Sequence, residues 1–347
     1  MGGTRLIDRR TNHIFQKYSS RVEVKKSKRK AAYELVALTS AVCCFYLSAI
    51  TFHRQVHPLI RSVYLCPLMP HRTVIVITGA SRGLGRAIAV AFASCLSPFG
   101  EHIRVILVAR SKADLIHTER DMHNAANGSA VHLEIFCCCA DLADLSALES
   151  DVDNIFHLAS QSAKDSDDVP FDRAILINNA GSLGYLGKVR DMASLVDLQH
   201  AINLNVTSSI WISSQFVSKF SRRGANCLIV NISSLCAIEP FSTMSVYCSG
   251  KAARDMLHTV LAKEESNAES SSEIKILNYA PGMCETEMSR DLCNSDSLDS
   301  DLQRMYRKAL QEKTMVQPRD TGEKLVQIIT ANNFESGKHV DFWDDAA

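Results

Sequence analysis

The chain has 347 residues, with 38 basic side chains balanced by 38 acidic ones. That neutrality argues against a nucleic acid or other polyanion as partner, which would call for a basic stripe. A hydrophobic content of 46% excludes disorder throughout the chain. The twelve cysteines contain no CxxC pair, and Cys137, Cys138 and Cys139 are adjacent. This suits neither a zinc site nor a disulfide framework, so the thiols read as small core residues in a reducing, cytoplasmic setting with no metal.

The first seventy residues differ from the rest. A basic stretch, RVEVKKSKRK, precedes residues 35–52, eighteen residues without a charge. That length sits at the lower edge of a membrane span, ~17–25 residues, and the preceding basic residues would keep the N-terminus cytoplasmic. The competing reading is an upstream extension, with Met69 as the natural start of a compact enzyme. Residues 1–70 are therefore expected to carry no chemistry, and a membrane is a partner only if 35–52 is a real anchor.

From Thr73 onward, short β-branched runs alternate with helical patterns. TVIVI is followed by a glycine loop opening a helix, and RVILVA, VHLEIF, AILI, CLIVNI and IKILNYA repeat the strand signal. Apolar runs of this length without alternation suit strands buried on both faces. The expectation is a single doubly wound, Rossmann-type parallel sheet with helices on both faces, spanning residues 71–347. The polar stretches 160–168 and 266–273 are expected to be surface loops.

TGASRGLG places Gly79, Gly83 and Gly85 between the first strand and its helix. Gly79 permits a tight turn, and Gly83 and Gly85 let backbone N–H groups approach a pyrophosphate at the positive helix end. The second strand ends VAR and continues SK, giving Arg110, Ser111 and Lys112 with no carboxylate. In such a fold an acidic residue there would bind a ribose hydroxyl, whereas cations accommodate a 2′-phosphate. With Arg82 inside the glycine loop as a second cation, the cofactor expected is NADPH.

Tyr247 is the only one of eight tyrosines with a lysine, Lys251, four residues later. A free tyrosine, with a pKa of about 10, is a poor acid–base group at neutral pH. A lysine on the same helical face is expected to stabilise the phenolate and bring the proton within reach of pH 7.

The G-x-x-x-G-x-G spacing, NNAG at residues 178–181 and Tyr-x-x-x-Lys together resemble the short-chain dehydrogenase/reductase superfamily. That resemblance implies a catalytic set of Ser234, Tyr247, Lys251 and Asn205. Ser234 would hold the substrate carbonyl, and Asn205 would support a water relay to the lysine. It also implies cofactor contacts from Ala80, Ser81, Leu84, Ala140, Asp141 and Asn179, besides the glycines, Arg82, Arg110, Ser111 and the Tyr247–Lys251 pair.

INNAGSLG, NISSLCA, YCSGKAARDML, LNYAPG and SGKHVDFWD narrow the likeness and together resemble the sepiapterin reductase family over 71–347. The resemblance implies NADPH-dependent reduction of pterin side-chain carbonyls by a homodimer paired across helices near 205–220 and 246–264. Asp341 would anchor the pterin, and Ser233, Ser234, Tyr247 and Gly282 would line the substrate side. Cys284, Glu285, Thr286, Glu287, Met288 and Ser289 would close over the nicotinamide and phosphates. Two departures stand out: ETEM replaces a DTDM-like stretch, and Met244 stands where the family pattern has tryptophan. Two other readings remain open, a carbonyl or diketone reductase with the same catalytic residues and a non-catalytic NADPH-binding partner protein.

Overall fold

The computed structural model describes residues 71–160, 171–266 and 272–344. The expectations for 1–70, including the apolar segment 35–52, and for most of the two polar stretches lie outside the described residues. The six predicted strands and a short seventh that the sequence did not show form one parallel sheet. They are β1 (Arg72–Thr78), β2 (His102–Ala109), β3 (His132–Cys139), β4 (Arg173–Asn178), β5 (Asn226–Ile232), β6 (Ile274–Ala280) and β7 (His339–Asp341). Their order is β3-β2-β1-β4-β5-β6-β7. The chain steps outward from β1 and then crosses to β4, so a cleft opens at the carboxyl ends of these two strands, where such sheets bind ligands.

Alternate side chains of the strands feed two cores. Ile75 and Ile77 pack with α1 (Gly83–Ala93), α2 (Lys112–Ala125) and α9 (Pro318–Ala331). Val74 and Val76 point to the other face, towards α3 (Leu145–Ser160) and α5 (Ser208–Phe220), whose Phe156, Phe216 and Phe220 stack against one another. The remaining helices are α4 (Leu195–Ile202), α6 (Ser245–Glu265), α7 (Glu287–Asn294) and α8 (Ser300–Gln311). Strands buried on both faces explain why their sequences run apolar without alternation. Among the described residues no helix is long and apolar enough to cross a membrane.

Two features position the site. Between α4 and α5 the helix widens into a π-turn over Asn203–Thr207, which sets Asn205 inside the fold; such widenings recur at functional sites. β7 is only three residues long, pairing Asp341 with Ala280 at the carboxyl end of β6.

Candidate active site

The glycine loop owes its shape to close contacts. Gly79 and Gly83 adopt φ of 66° and 53°, which side chains disfavour. Gly85 has ordinary helical geometry, but a Cβ there would lie 2.2 Å from the Gly79 carbonyl oxygen and 2.6 Å from Asn179 Nδ2. The third glycine thus serves packing between loop and helix more than access to a phosphate. Asn179 stitches the loop to the end of β4. Its Nδ2 donates to the carbonyls of Thr78 (2.9 Å) and Gly79 (3.2 Å), while Thr78 Oγ1 accepts from the N–H groups of Asn179 and Ala180. Arg82, the residue preceding α1, provides no side-chain cap. The first N–H groups of α1 are therefore left for an anion, as a dinucleotide pyrophosphate requires. Ala80, Ser81 and Leu84 complete this turn.

The cations at the adenosine end divide their roles. Arg82 does not stand open to a phosphate, because its guanidinium pairs with Glu287 in the first turn of α7. Arg110, at the end of β2, is exposed and makes no side-chain contact with the described residues. Ser111 caps α2 by accepting from Asp114 N–H, with Lys112 next to it. Ala140 is buried and bonded to Ala109, and Asp141 turns one oxygen to Ala143 N–H. Residues 284–289 lie over the glycine loop. Thr286 caps α7 in a reciprocal pair with Ser289, and its methyl group would be 3.6 Å from a Cβ on Gly83. Cys284 bonds Pro281, Glu285 holds Arg290 and Gln317, and Met288 is half-buried.

The predicted catalytic four converge. Ser234 follows β5 on the same side as Tyr247, whose phenol it pulls down, and its Oγ accepts from Cys236 N–H at 3.1 Å. Lys251 is 6% exposed, donates to the Ile232 carbonyl at 2.6 Å and lies 5.6 Å from the centre of the Tyr247 ring. Asn205 is buried, its amide bonded both ways to the backbone of Ser182 at 2.9 Å. It backs onto α6 at Gly250, where a Cβ would come within 3.1 Å of it.

The electrostatics differ from the sequence expectation. Burial is the main influence on Tyr247 and pushes its phenol up; Ser234 and Arg254 pull it down. Burial also drives Lys251 well below the usual lysine value, reinforced by the like charge of Arg254 and opposed by Asp255. The protein therefore holds Tyr247 protonated, the form a proton donor needs, and Arg254 is a cation that acts on the phenol. The sequence reading gave Arg254 no role. The KAARD phrase contained it, but an arginine on a helix ordinarily reads as solvated.

On the substrate side, Ser233 turns away from Ser234. Alternation at the strand end buries it and points its hydroxyl towards His339 Nδ1, at 3.5 Å, so it does not line the cleft as expected. Gly282, with φ 78°, packs against Val316 and Phe342. Asp341 is nearly buried at the carboxyl end of β7, and one oxygen accepts from Trp343 N–H at 2.9 Å. Its charge reaches Cys284 and Tyr279 and contributes to raising both. Met244 is buried in an apolar cluster with Cys236, Leu292, Leu298 and Leu302, against which Tyr247 packs. A cavity of about 560 Å³ lined by Thr73, Phe99, Arg173 and Lys275 opens at the amino-terminal edge of the sheet and includes none of these residues.

This fold and this site define a nicotinamide-dependent oxidoreductase. A family model described as short chain dehydrogenase matches residues 73–296. The sepiapterin reductase of Rattus norvegicus is 35% identical over 273 residues, covering 78% of this chain and 96% of that one. The benzil reductase of Bacillus subtilis (strain 168) is 27% identical, covering 77% and 96%. The crystal structure of levodione reductase superposes with a TM-score of 0.62 at 19% identity, covering 78% and 95%. The chain belongs to the short-chain dehydrogenase family, and within it to the sepiapterin reductases.

Proposed function

We propose that residues 71–347 form a cytoplasmic, homodimeric NADPH-dependent reductase of pterin side-chain carbonyls. Sepiapterin would go to dihydrobiopterin, and 6-pyruvoyl-tetrahydropterin to tetrahydrobiopterin. The observation that carries this reading is Asp341, a carboxylate at the carboxyl end of β7 beside Gly282 and Cys284. A general carbonyl reductase has no need of it, whereas the amino-pyrimidine edge of a pterin offers parallel N–H donors to a carboxylate.

The residues at the α1 N-terminus and the glycine loop fit a dinucleotide, and the exposed Arg110 beside Ser111 and Lys112 suits a 2′-phosphate. The bound cofactor would supply the hydride. The chain's own part is to orient and protonate. Ser234 positions the carbonyl oxygen, and Tyr247, kept protonated by burial, delivers a proton to that oxygen. Lys251, fixed on the Ile232 carbonyl, holds the phenol and replenishes its proton through the Asn205 side of the helix.

Asp341→Asn tests the substrate. It keeps the size and the oxygen that accepts from Trp343 but removes the charge and one acceptor. Loss of a charged hydrogen-bond partner costs ~1.5–3 kcal/mol, or about ten- to a hundredfold in kcat/KM. The loss should appear with sepiapterin and be nearly absent with a small diketone. Equal losses on both would make Asp341 structural and favour the diketone reading, to which the benzil reductase relative lends weight. The reading as an idle NADPH-binding protein has against it a complete, convergent Ser234, Tyr247, Lys251 and Asn205.

A further inference from the structure

Arg254 heads the wholly buried large side chains of the described residues, and it is a cation. Burying a charge costs several kcal/mol unless it is paired, yet no carboxylate touches this guanidinium among the described residues. Its Nε donates to Asn231 Oδ1 at 2.7 Å, one Nη to the Ala180 carbonyl at 2.8 Å, and the other Nη to the Asn178 carbonyl. Asp255 lies one shell away, reached through Asn231 Nδ2 at 2.9 Å, and its other oxygen is 2.6 Å from His339 Nδ1. Neutral hydrogen-bonding groups would have satisfied those acceptors at lower desolvation cost. A charge that no carboxylate contacts directly therefore needs another account.

Position supplies one. Arg254 follows Lys251 by three residues and Tyr247 by seven, so all three share one face of α6. Its fork ties together the places on which the catalytic groups rest. These are the end of β4 with the NNAG loop and the end of β5, where Ile232 receives the Lys251 ammonium. Gly181 sits between Arg254 and Asn205, a Cβ there falling 3.8 Å from Arg254 Nη1 and 3.0 Å from Asn205 Oδ1. The groups facing this centre come from several elements. α6 contributes Tyr247, Lys251, Asp255 and His258, the last held neutral by burial with its value pushed down to about 4. Cys236 follows β5, Cys284 follows β6, and His339 of β7 acts through Asp255. Of the cations, Lys251 and Arg254, only the guanidinium is charged at every working pH.

Resting on the reading of Tyr247 as proton donor, we propose that Arg254 is a positioning residue for proton transfer. Its fork fixes the strand ends around Tyr247 and Lys251, and its charge sets the pH at which the phenol exchanges its proton. The influence of Arg254 on the two groups, lowering both Tyr247 and Lys251, agrees with that placement.

The test is the pH profile of kcat for alcohol oxidation with NADP⁺ by the full chain, in which Tyr247 must begin deprotonated. The alcohol is the product of a small diketone, so an error in the pterin assignment leaves the profile readable. Arg254→Gln removes the charge and should move the acid limb up by about one pH unit, ~10-fold at a fixed pH on that limb. Arg254→Lys keeps the charge but loses the fork; it should lower kcat with the limb within about half a unit of wild type. Circular dichroism and melting curves verify folding. If Arg254→Gln does not fold, Arg254→Lys decides: an unmoved limb upholds the proposal, a moved limb overturns it. A folded Arg254→Gln with uniformly reduced kcat and an unmoved limb means the role is structural only. A protein that turns over no carbonyl or alcohol removes the donor reading and this inference with it.

Discussion

Gly85→Ala puts the architecture of the nucleotide loop to a quantitative test. The added methyl group would sit 2.2 Å from the Gly79 carbonyl oxygen, 2.6 Å from Asn179 Nδ2 and 2.9 Å from the Gly79 carbonyl carbon. Two of these three atoms are backbone and cannot swing aside. Asn179 can retreat only by giving up its bonds to the Thr78 and Gly79 carbonyls. Those two hydrogen bonds are worth ~0.5–1.5 kcal/mol each, and overpacking adds ~1–3 kcal/mol. A fall in stability of ~2–6 kcal/mol follows, which for a domain of this size lowers Tm by ~2–4 °C per kcal/mol. Cofactor binding should suffer more than stability, because the same displacement moves the N–H groups that open α1. The measurements are a thermal melt with and without NADPH and a fluorescence titration of NADPH. Wild-type Tm together with wild-type affinity would mean that the packing of Gly85 on Gly79 and Asn179 does not shape the loop.

Three further outcomes are expected. Tyr247→Phe should lose ~10²–10⁴-fold in turnover while titrating NADPH normally, and near-normal kcat would remove the phenol from the mechanism. NADPH should be preferred to NADH by at least about tenfold, the effect of a charge-assisted phosphate contact. Arg110→Glu should erase most of that preference, and equal use of both cofactors by the wild type would refute the reading of Arg110. The homodimer should pair through α5 and α6, where Ile210, Met256 and Val260 remain 41%, 65% and 45% exposed. Met256→Glu should then shift light-scattering mass from dimer to monomer, and a wild-type monomer at micromolar concentration would reject the pairing.

Much of the fold was legible because its signals are local. β-branched runs buried on both faces cannot alternate, and a glycine loop directly after the first of them has few other uses. The candidate pair Tyr247 and Lys251 was legible for the same reason, since an i, i+4 spacing is a statement about one helical face. The parts that escaped depend on register across the sheet. β7 is too short for any periodicity, so Asp341 was read only from the family phrase, and the pairing with β6 that also brings in His339 was not read at all. Ser233 and Ser234 are adjacent and chemically identical in sequence, yet strand alternation gives one to His339 and the other to Tyr247. The ion pair of Arg82 with Glu287 of α7, 205 residues away, gives no sign in the sequence either.

Arg254 and Asn231 show why such residues are hard to find and what they accomplish together. In sequence one is a helix arginine and the other a strand asparagine, both unremarked types in unremarked places. In the structure Asn231 accepts from Arg254 and donates to Asp255 and to Asn278 of β6. Asp255 in turn meets His339 of β7. A continuous polar chain thus runs from the loop that would face the nicotinamide to the strand that carries Asp341. Buried networks of this kind are costly when any member is missing and rigid when complete. Tyr247, Lys251 and Asp341, the proposed proton-transfer pair and substrate carboxylate, are therefore held in one frame. On the proposed function, that frame is what lets a three-residue edge strand place Asp341 with the accuracy that hydride transfer to a fixed carbonyl demands.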